Sequence, residues 1–376
     1  MSEEHSKQET PTTETFENKI IVLNGDELPE DELKGMAGTS LDVAKDDVKQ
    51  QGPIKLSRED SNVILRLFNV LSKMGYIEEA LSLIDMLVVD SPANAKYFRQ
   101  RADIYRVQGR LLDSIADAKK AIRLLLADIN QQMGTFQFDK APPHMMVESA
   151  AIALLDLKIF LDKHAVPFFL TDGTLLGLHR DGELLSYDHD IDIGVPWHIP
   201  RQELVDLIFQ SENFDIPEDQ LARSEFDWNF SVLHKNHGIA IDFFFFKPEG
   251  EFLDCGLHHL PTPMIWRFTA FSTKLIQYRG NDYCVPENPE QYLAEIYGPS
   301  WKVPDPYFDS LVAGHNLTPE SKFISLCYAY TRLYGLVSKA RWKWALDYCE
   351  QIFRYEKESW LVELANWLQV KINESQ

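Results

Sequence analysis

From Ser61 to about Leu125 apolar residues recur every three or four positions, the spacing of helices that bury one face. Two parts of this region repeat one another. Lys-Met-Gly-Tyr-Ile-Glu-Glu-Ala around Gly75 returns as Val-Gln-Gly-Arg-Leu-Leu-Asp-Ser around Gly109, 34 residues later. That is the tetratricopeptide period. Ala80, Pro92, Ala102, Tyr105 and Ala121 fall in phase with it. Small residues let paired helices approach, and glycine permits the tight turn between them. The pattern predicts tetratricopeptide-like helical repeats over residues 56–130. A docking surface for a protein partner and a helical buttress both account for them.

The pattern changes on either side. Residues 1–55 are rich in Glu, Asp, Lys, Gln, Thr and Ser, with few large apolar positions, and are expected to form a disordered acidic tail. Residues 131–143 are irregular and end in Ala141-Pro142-Pro143, a domain junction. A helix is predicted over 144–164, then a short buried strand over 165–170 and a turn at Thr171-Asp172-Gly173-Thr174. Tyr187 to Val195 alternates as a strand. Three further runs, 229–234, 239–246 and 252–258, predict an antiparallel meander. Residues 318–372 return to helical spacing with Tyr and Trp on the buried side. The expected fold class is α+β: a mixed-sheet domain over 144–310. It is flanked by the N-terminal repeats and a C-terminal helical subdomain over 318–372.

Composition narrows the functions. The chain has 376 residues, 45% hydrophobic and 25% charged, as expected of a soluble globular protein. Its net charge of −21 repels a phosphate backbone, which argues against a nucleic-acid partner. Cys255, Cys284, Cys327 and Cys349 form no CxxC pair, which points to reduced thiols. No secretory signal or membrane span is visible, so the expected location is the cytoplasm, free or at the membrane periphery.

The chemistry concentrates on charge. In an extended strand, side chains two apart share a face. Asp188, Asp190 and Asp192 would then stand together, with Ile191, Ile193 and Val195 on the other side. Such a row is costly unless a cation lies among the carboxylates or some stay protonated. All-oxygen ligands favour a hard ion, Mg²⁺ or Mn²⁺. Asp242 sits in Ala240-Ile241-Asp242-Phe243-Phe244-Phe245-Phe246, and a carboxylate in so apolar a strand needs a partner, for which the same ion serves.

Three motifs in order resemble the LicD/fukutin family, within the DNA polymerase beta-type nucleotidyltransferase superfamily. They are Gly173-Thr174-Leu175-Leu176-Gly177-x-x-Arg180, Asp188-x-Asp190-x-Asp192-x-Gly194, and a segment from Val285-Pro286 through Tyr292-Leu293 and Tyr297-Gly298 to Trp301 and Pro304. The resemblance covers about 145 to 306. It implies transfer of a phosphorylated group, such as phosphocholine or an alditol phosphate, from a CDP- or UDP-linked donor to a hydroxyl of a glycan or lipid-linked glycan. It carries metal binding to Asp188, Asp190 and Asp192, and donor-phosphate binding to Gly173, Thr174, Gly177 and Arg180. Asp190, Asp192 and Asp242 are the expected catalytic residues, with Asp242 a metal ligand or general base. This chain departs from the family at Tyr187, where many members have Trp, and at Asp172, where Gly, Ser or Cys is commoner. It also lacks the cysteine cluster of some animal members. Two alternatives stay open: a nucleotidyltransferase acting on a small molecule or protein, and an inactive tetratricopeptide adaptor.

Overall fold

The computed structural model describes residues 55–131, 145–221, 228–257 and 262–374. The acidic tail and nearly all of the junction at 131–143 lie outside the described residues. Four helices open the described chain: α1 (Arg58–Lys73), α2 (Ile77–Asp90), α3 (Ala95–Val107) and α4 (Leu111–Gln131). Ser57 and Asp60 close a capping box that starts α1, and Asn94 caps α3. The 34-residue repeat is visible as two hairpins with matching turns. Gly75 and Gly109 take φ of 81° and 74°. The N–H of Tyr76 donates to the Leu71 carbonyl, and that of Arg110 to the Tyr105 carbonyl. Ala80 and Ser114 stand at equivalent positions, both fully buried. Arg101 on α3 ties the hairpins together, reaching Asp85 on α2 at 2.7 Å and Asp117 on α4 at 2.6 Å.

Next come α5 (Val147–Lys163), whose Ala150, Leu154, Leu157 and Leu161 are buried, β1 (Phe169–Leu170) and the single-turn α6 (Asp172–Leu176). A π-helical turn at Gly177–Asp181 leads to β2 (Asp190–Pro196). The chain continues through α7 (Arg201–Phe209), β3 (Phe214–Asp215), α8 (Glu218–Leu221), β4 (Asn229–His234), β5 (Ala240–Glu249), β6 (Phe252–Leu257) and β7 (Met264–Thr269). A separate hairpin, β8 (Thr273–Tyr278) and β9 (Asn281–Pro286), precedes α9 (Pro289–Tyr297) and α10 (Ser310–Ala313).

The sheet runs β1-β2-β5-β4-β3, and the far end of β5 pairs with β6, which pairs with β7. Only the β2–β5 pair is parallel among the described strands. β5 is central because its side chains are apolar on both sides: Ile241, Phe243, Phe245 and Phe246 are all buried, and Phe243 stacks on Phe230 of β4 at 4.8 Å. The expected meander is present as β4, β5 and β6. Two expected strands are shorter than their patterns. The segment from Ala165 is strand only at Phe169–Leu170, because Ala165 takes φ 54° to close α5. The run from Tyr187 becomes strand only at Asp190.

The chain ends in α11 (Lys322–Ser338), α12 (Trp342–Tyr355) and α13 (Ser359–Glu374). The turn between α11 and α12 repeats the one at Gly75. Arg341 N–H donates to the Leu336 carbonyl, Ala345 N–H to the Arg341 carbonyl, and Ala345 is fully buried. α4 lies against α11, and Ala102, Ile115, Ala118 and Ile122 share one core with Cys327, Tyr330, Leu333 and Ile352. Lys119 of α4 reaches Glu356 and Glu358, each at 2.7 Å. The N- and C-terminal helices therefore form one helical body, with the sheet domain between them in sequence. No helix among the described residues is long and apolar enough to cross a membrane.

The third turn carries Ala340 at φ 56° where the first two carry glycine. A β-carbon in the left-handed region costs about 1–2 kcal/mol. Ala340→Gly is expected to raise stability by about 0.5–1 kcal/mol, net of the entropy glycine adds to the unfolded chain. Urea denaturation reads this directly, and a fall in the midpoint contradicts it.

Candidate active site

The site forms where β1 ends, β2 and β5 run side by side, and α6 turns across their edge. Parallel pairing places Asp192 of β2 opposite Asp242 of β5. Cross-strand partners project to the same face, so two acids distant in sequence meet here. Asp188 is not part of the strand, contrary to the expectation of one extended row. It lies in the approach to β2, where its N–H donates to the Leu185 carbonyl, and its own carboxylate accepts the N–H of His189 at 3.0 Å. The turn still delivers it to the cluster. Carboxylate oxygens of Asp188, Asp190 and Asp192 lie within 4.8 Å of one another.

Gly173 makes this approach possible. A β-carbon there would lie 2.1 Å from Asp188 Oδ2 and 3.1 Å from Asp192 Oδ2. Its N–H donates to Asp192 Oδ2 at 2.9 Å, and the Asp192 N–H donates to the Thr174 hydroxyl at 2.8 Å. Gly173 and Thr174 therefore lock the turn onto β2 and aim the Asp192 carboxylate. Gly177 serves the fold: a β-carbon would lie 2.7 Å from the Glu183 carbonyl oxygen. Arg180 pairs with Asp181 through two hydrogen bonds of 2.8 Å and donates to the Tyr187 hydroxyl at 2.6 Å. It does not line the cavity, whereas Tyr187 does. Of the four expected phosphate-loop residues, Gly173 alone lines the cavity, and Thr174 contacts the backbone of Asp192.

Asp172 is the residue that sequence reasoning passed over. It takes φ 42°, unusual for a non-glycine residue, and lines the cavity with the other acids. Burial pushes its carboxyl up to about 7, against a hydrogen bond from Thr171, with the charges of Asp188 and Asp242 adding to the rise. Burial and then the charges of Asp242 and Asp188 push Asp190 up to about 8. Asp192, 8% exposed, is raised well above the usual carboxylate range, first by burial and then by Asp190 and Asp172. Asp188 is raised by burial. The adjacency of Asp172 to Gly173-Thr174 was the available signal.

These residues fit a hard divalent cation. The set is all oxygen, mutually repulsive and partly desolvated, so a cation offsets the repulsion that otherwise keeps protons on it. Ligands across a Mg²⁺ ion at about 2.1 Å are about 4.2 Å apart, so the observed spread needs only a slight contraction. Gly173→Ala is expected to push Asp188 out of line and weaken Mn²⁺ binding by roughly ten- to a hundredfold. Calorimetric titration measures this, and an unchanged affinity contradicts the role given to Gly173.

The later motif supports the same turn. Tyr292 of α9 is buried, hydrogen-bonded to Thr171 and stacked on Phe268 at 4.5 Å. Tyr297 lines the cavity, and Trp301 packs against His179 at 5.7 Å. Residues 165–288 match the LicD/FKTN/FKRP nucleotidyltransferase domain. By this match the stretch is similar to LicD-type domains. It contains the Gly173 turn, all five acids and the β2–β5 pair.

The chain is also similar to curated proteins. The chain is 26% identical to the ribitol-5-phosphate transferase FKTN of Macaca fascicularis over 184 residues, 48% of this chain and 39% of that protein. It is 26% identical to the Homo sapiens protein of that name over 161 residues, 42% and 34%, and to the Mus musculus one over 179 residues, 46% and 36%. The match therefore spans little more than a third of each relative's length.

Proposed function

We propose that the chain is a divalent-cation-dependent transferase that moves a phosphate-linked group, such as ribitol 5-phosphate or phosphocholine, from a nucleotide-linked donor to a glycan hydroxyl. The observation that carries this reading is the register of β2 and β5, which sets Asp242 beside Asp192 inside a LicD-type domain. The name of the relatives, ribitol-5-phosphate transferase, supports the transferred group.

Asp188, Asp190 and Asp192 would hold Mg²⁺ or Mn²⁺. The bound ion supplies charge neutralisation for oxygens of the transferred phosphoryl group. The chain's own residues do the rest. Gly173 N–H fixes the Asp192 carboxylate, and Thr174 fixes its backbone. Asp172 and Asp242 are the carboxylates on this face outside the three-residue set, and one of them receives the proton of the acceptor hydroxyl. A new P–O bond forms to that oxygen as the bond to the nucleoside monophosphate breaks, and the monophosphate leaves.

The test incubates the full chain with CDP-ribitol or CDP-choline, Mg²⁺ and a glycan acceptor, and follows CMP. Cation-dependent CMP release with a modified acceptor is the expected result. Pyrophosphate release from a nucleoside triphosphate, with no CMP from either donor, overturns the reading in favour of nucleotidyl transfer.

A further inference from the structure

The cavity above the acids extends beyond the LicD-type domain, and its far wall is built from the helical body. Its volume is about 980 Å³, at the upper end of what one small ligand fills. Besides the acids, it is lined by Arg99 of α3, Arg332 and Lys339 of α11 and its end, and Arg341 and Trp344 at the start of α12. The turn at Ala340, which repeats the turns of the first two hairpins, is what brings Lys339, Arg341 and Trp344 to this wall.

Arg99 is paired with Asp103 and Arg332 with Asp309, so the binding of a ligand here rests on Trp344 and Lys339. Trp344 Nε1–H is buried and has no hydrogen-bond partner. Arg341 lies 5.5 Å over the Trp344 ring, and Tyr307 packs against the same ring at 5.9 Å. Lys339 is exposed and has no carboxylate partner among the described residues. Two carboxylates also line this wall. Asp309 accepts from Arg332 and from the Tyr348 hydroxyl, and Asp305 accepts the N–H of Tyr307 at 3.0 Å. Lysine, arginine and indole N–H groups can donate hydrogen bonds and cannot accept them. An unpaired donor in a low-dielectric wall is costly unless a ligand completes it.

We propose that this wall binds a phosphate group of a substrate, so that the helical body forms part of the active site. The acid end and the donor-rich end then hold different parts of the reacting pair in one cavity. The inference rests on the transferase reading for its meaning, but phosphate binding at this wall can be measured without turnover. The phosphate belongs either to the nucleotide of the donor or to a phosphate-bearing acceptor.

The test is a titration of the full chain, ¹⁵N-labelled at its eight tryptophans, with Mg²⁺ present. Trp344→Phe assigns the Trp344 indole resonance. CDP probes the donor source. Glycerol 3-phosphate, with glycerol as control, probes the acceptor source. One of the two phosphate probes is expected to shift the Trp344 resonance saturably, and Lys339→Glu to weaken that binding by about fivefold or more. A response to CDP assigns the donor, and a response to glycerol 3-phosphate assigns the acceptor. Either response supports the proposal even when no CMP is released, which separates it from failure of the transferase reading. Three results overturn it: no shift with either probe, an equal shift with glycerol, or an unchanged affinity in Lys339→Glu.

Discussion

Asp192→Asn is expected to lower CMP release by about a thousandfold while leaving the chain folded. Asparagine is isosteric, and its carbonyl oxygen can still accept the Gly173 N–H that Asp192 accepts at 2.9 Å. What it removes is the charge at the centre of the set. A metal-bound phosphoryl centre is stabilised by several kcal/mol, and about 4 kcal/mol corresponds to roughly a thousandfold in rate. Asp192 is the most buried acid of the three and touches both Gly173 and, through its backbone, Thr174. Its replacement is therefore predicted to act on turnover rather than on donor affinity alone. The measurement is kcat for CMP release with a matched thermal melt. A folded variant with kcat within a few-fold of the original contradicts the assignment.

The second large effect is on stability. Without a divalent cation, thermal stability is expected to fall as pH rises from about 5 to about 8, by at least about 3 °C. Asp172 and Asp190 have folded-state values of about 7 and about 8, both above the ordinary carboxylate value of about 3.9. The folded protein thus binds protons that the unfolded chain releases, and its extra stability is present in full below pH about 4. That contribution is lost as pH climbs through 7 and 8. Mg²⁺ is expected to take the place of the protons, flattening the decline and raising the melting temperature more at pH 8 than at pH 5. Asp190→Asn should flatten the metal-free profile. Melting curves across this range, with Mg²⁺ and with a chelator, test both statements. Parallel profiles with and without Mg²⁺ contradict them.

Much of this site could be read from the chain because its signals are local. The alternation through Asp190, Ile191, Asp192 and Ile193 is a property of neighbouring residues, and so is the glycine of a tight turn. Asp242 was legible because a charge directly before four phenylalanines is conspicuous. Its register with Asp192 was not, since parallel pairing joins strands about fifty residues apart, and no short-range pattern specifies it. Arg180 shows the opposite limit. Its motif suggested a phosphate clamp, yet Asp181 next to it and Tyr187 hold the guanidinium away from the cavity lining. Asp188 reached the cluster by a turn instead of a strand, so its place in the cluster was legible while its local geometry was not.

The helical body shows the same division. The 34-residue repeat announced the first two hairpins through Gly75 and Gly109. The third hairpin keeps the turn's hydrogen bonds but puts Ala340 where the glycine stood. It is also separated from the second by the whole sheet domain. Its aromatic spacing predicted helices, but only the shared core around Ile122, Tyr330 and Ile352 shows that they complete the N-terminal pair.

The central claim is that Asp188, Asp190 and Asp192 hold one divalent cation. Its most direct test is calorimetric titration of the full, metal-stripped chain with Mn²⁺, alongside Asp190→Asn and Asp192→Asn. The account predicts one saturable site in the original chain and its loss in both folded variants. No saturable site in the original chain, or equal binding in the variants, contradicts it.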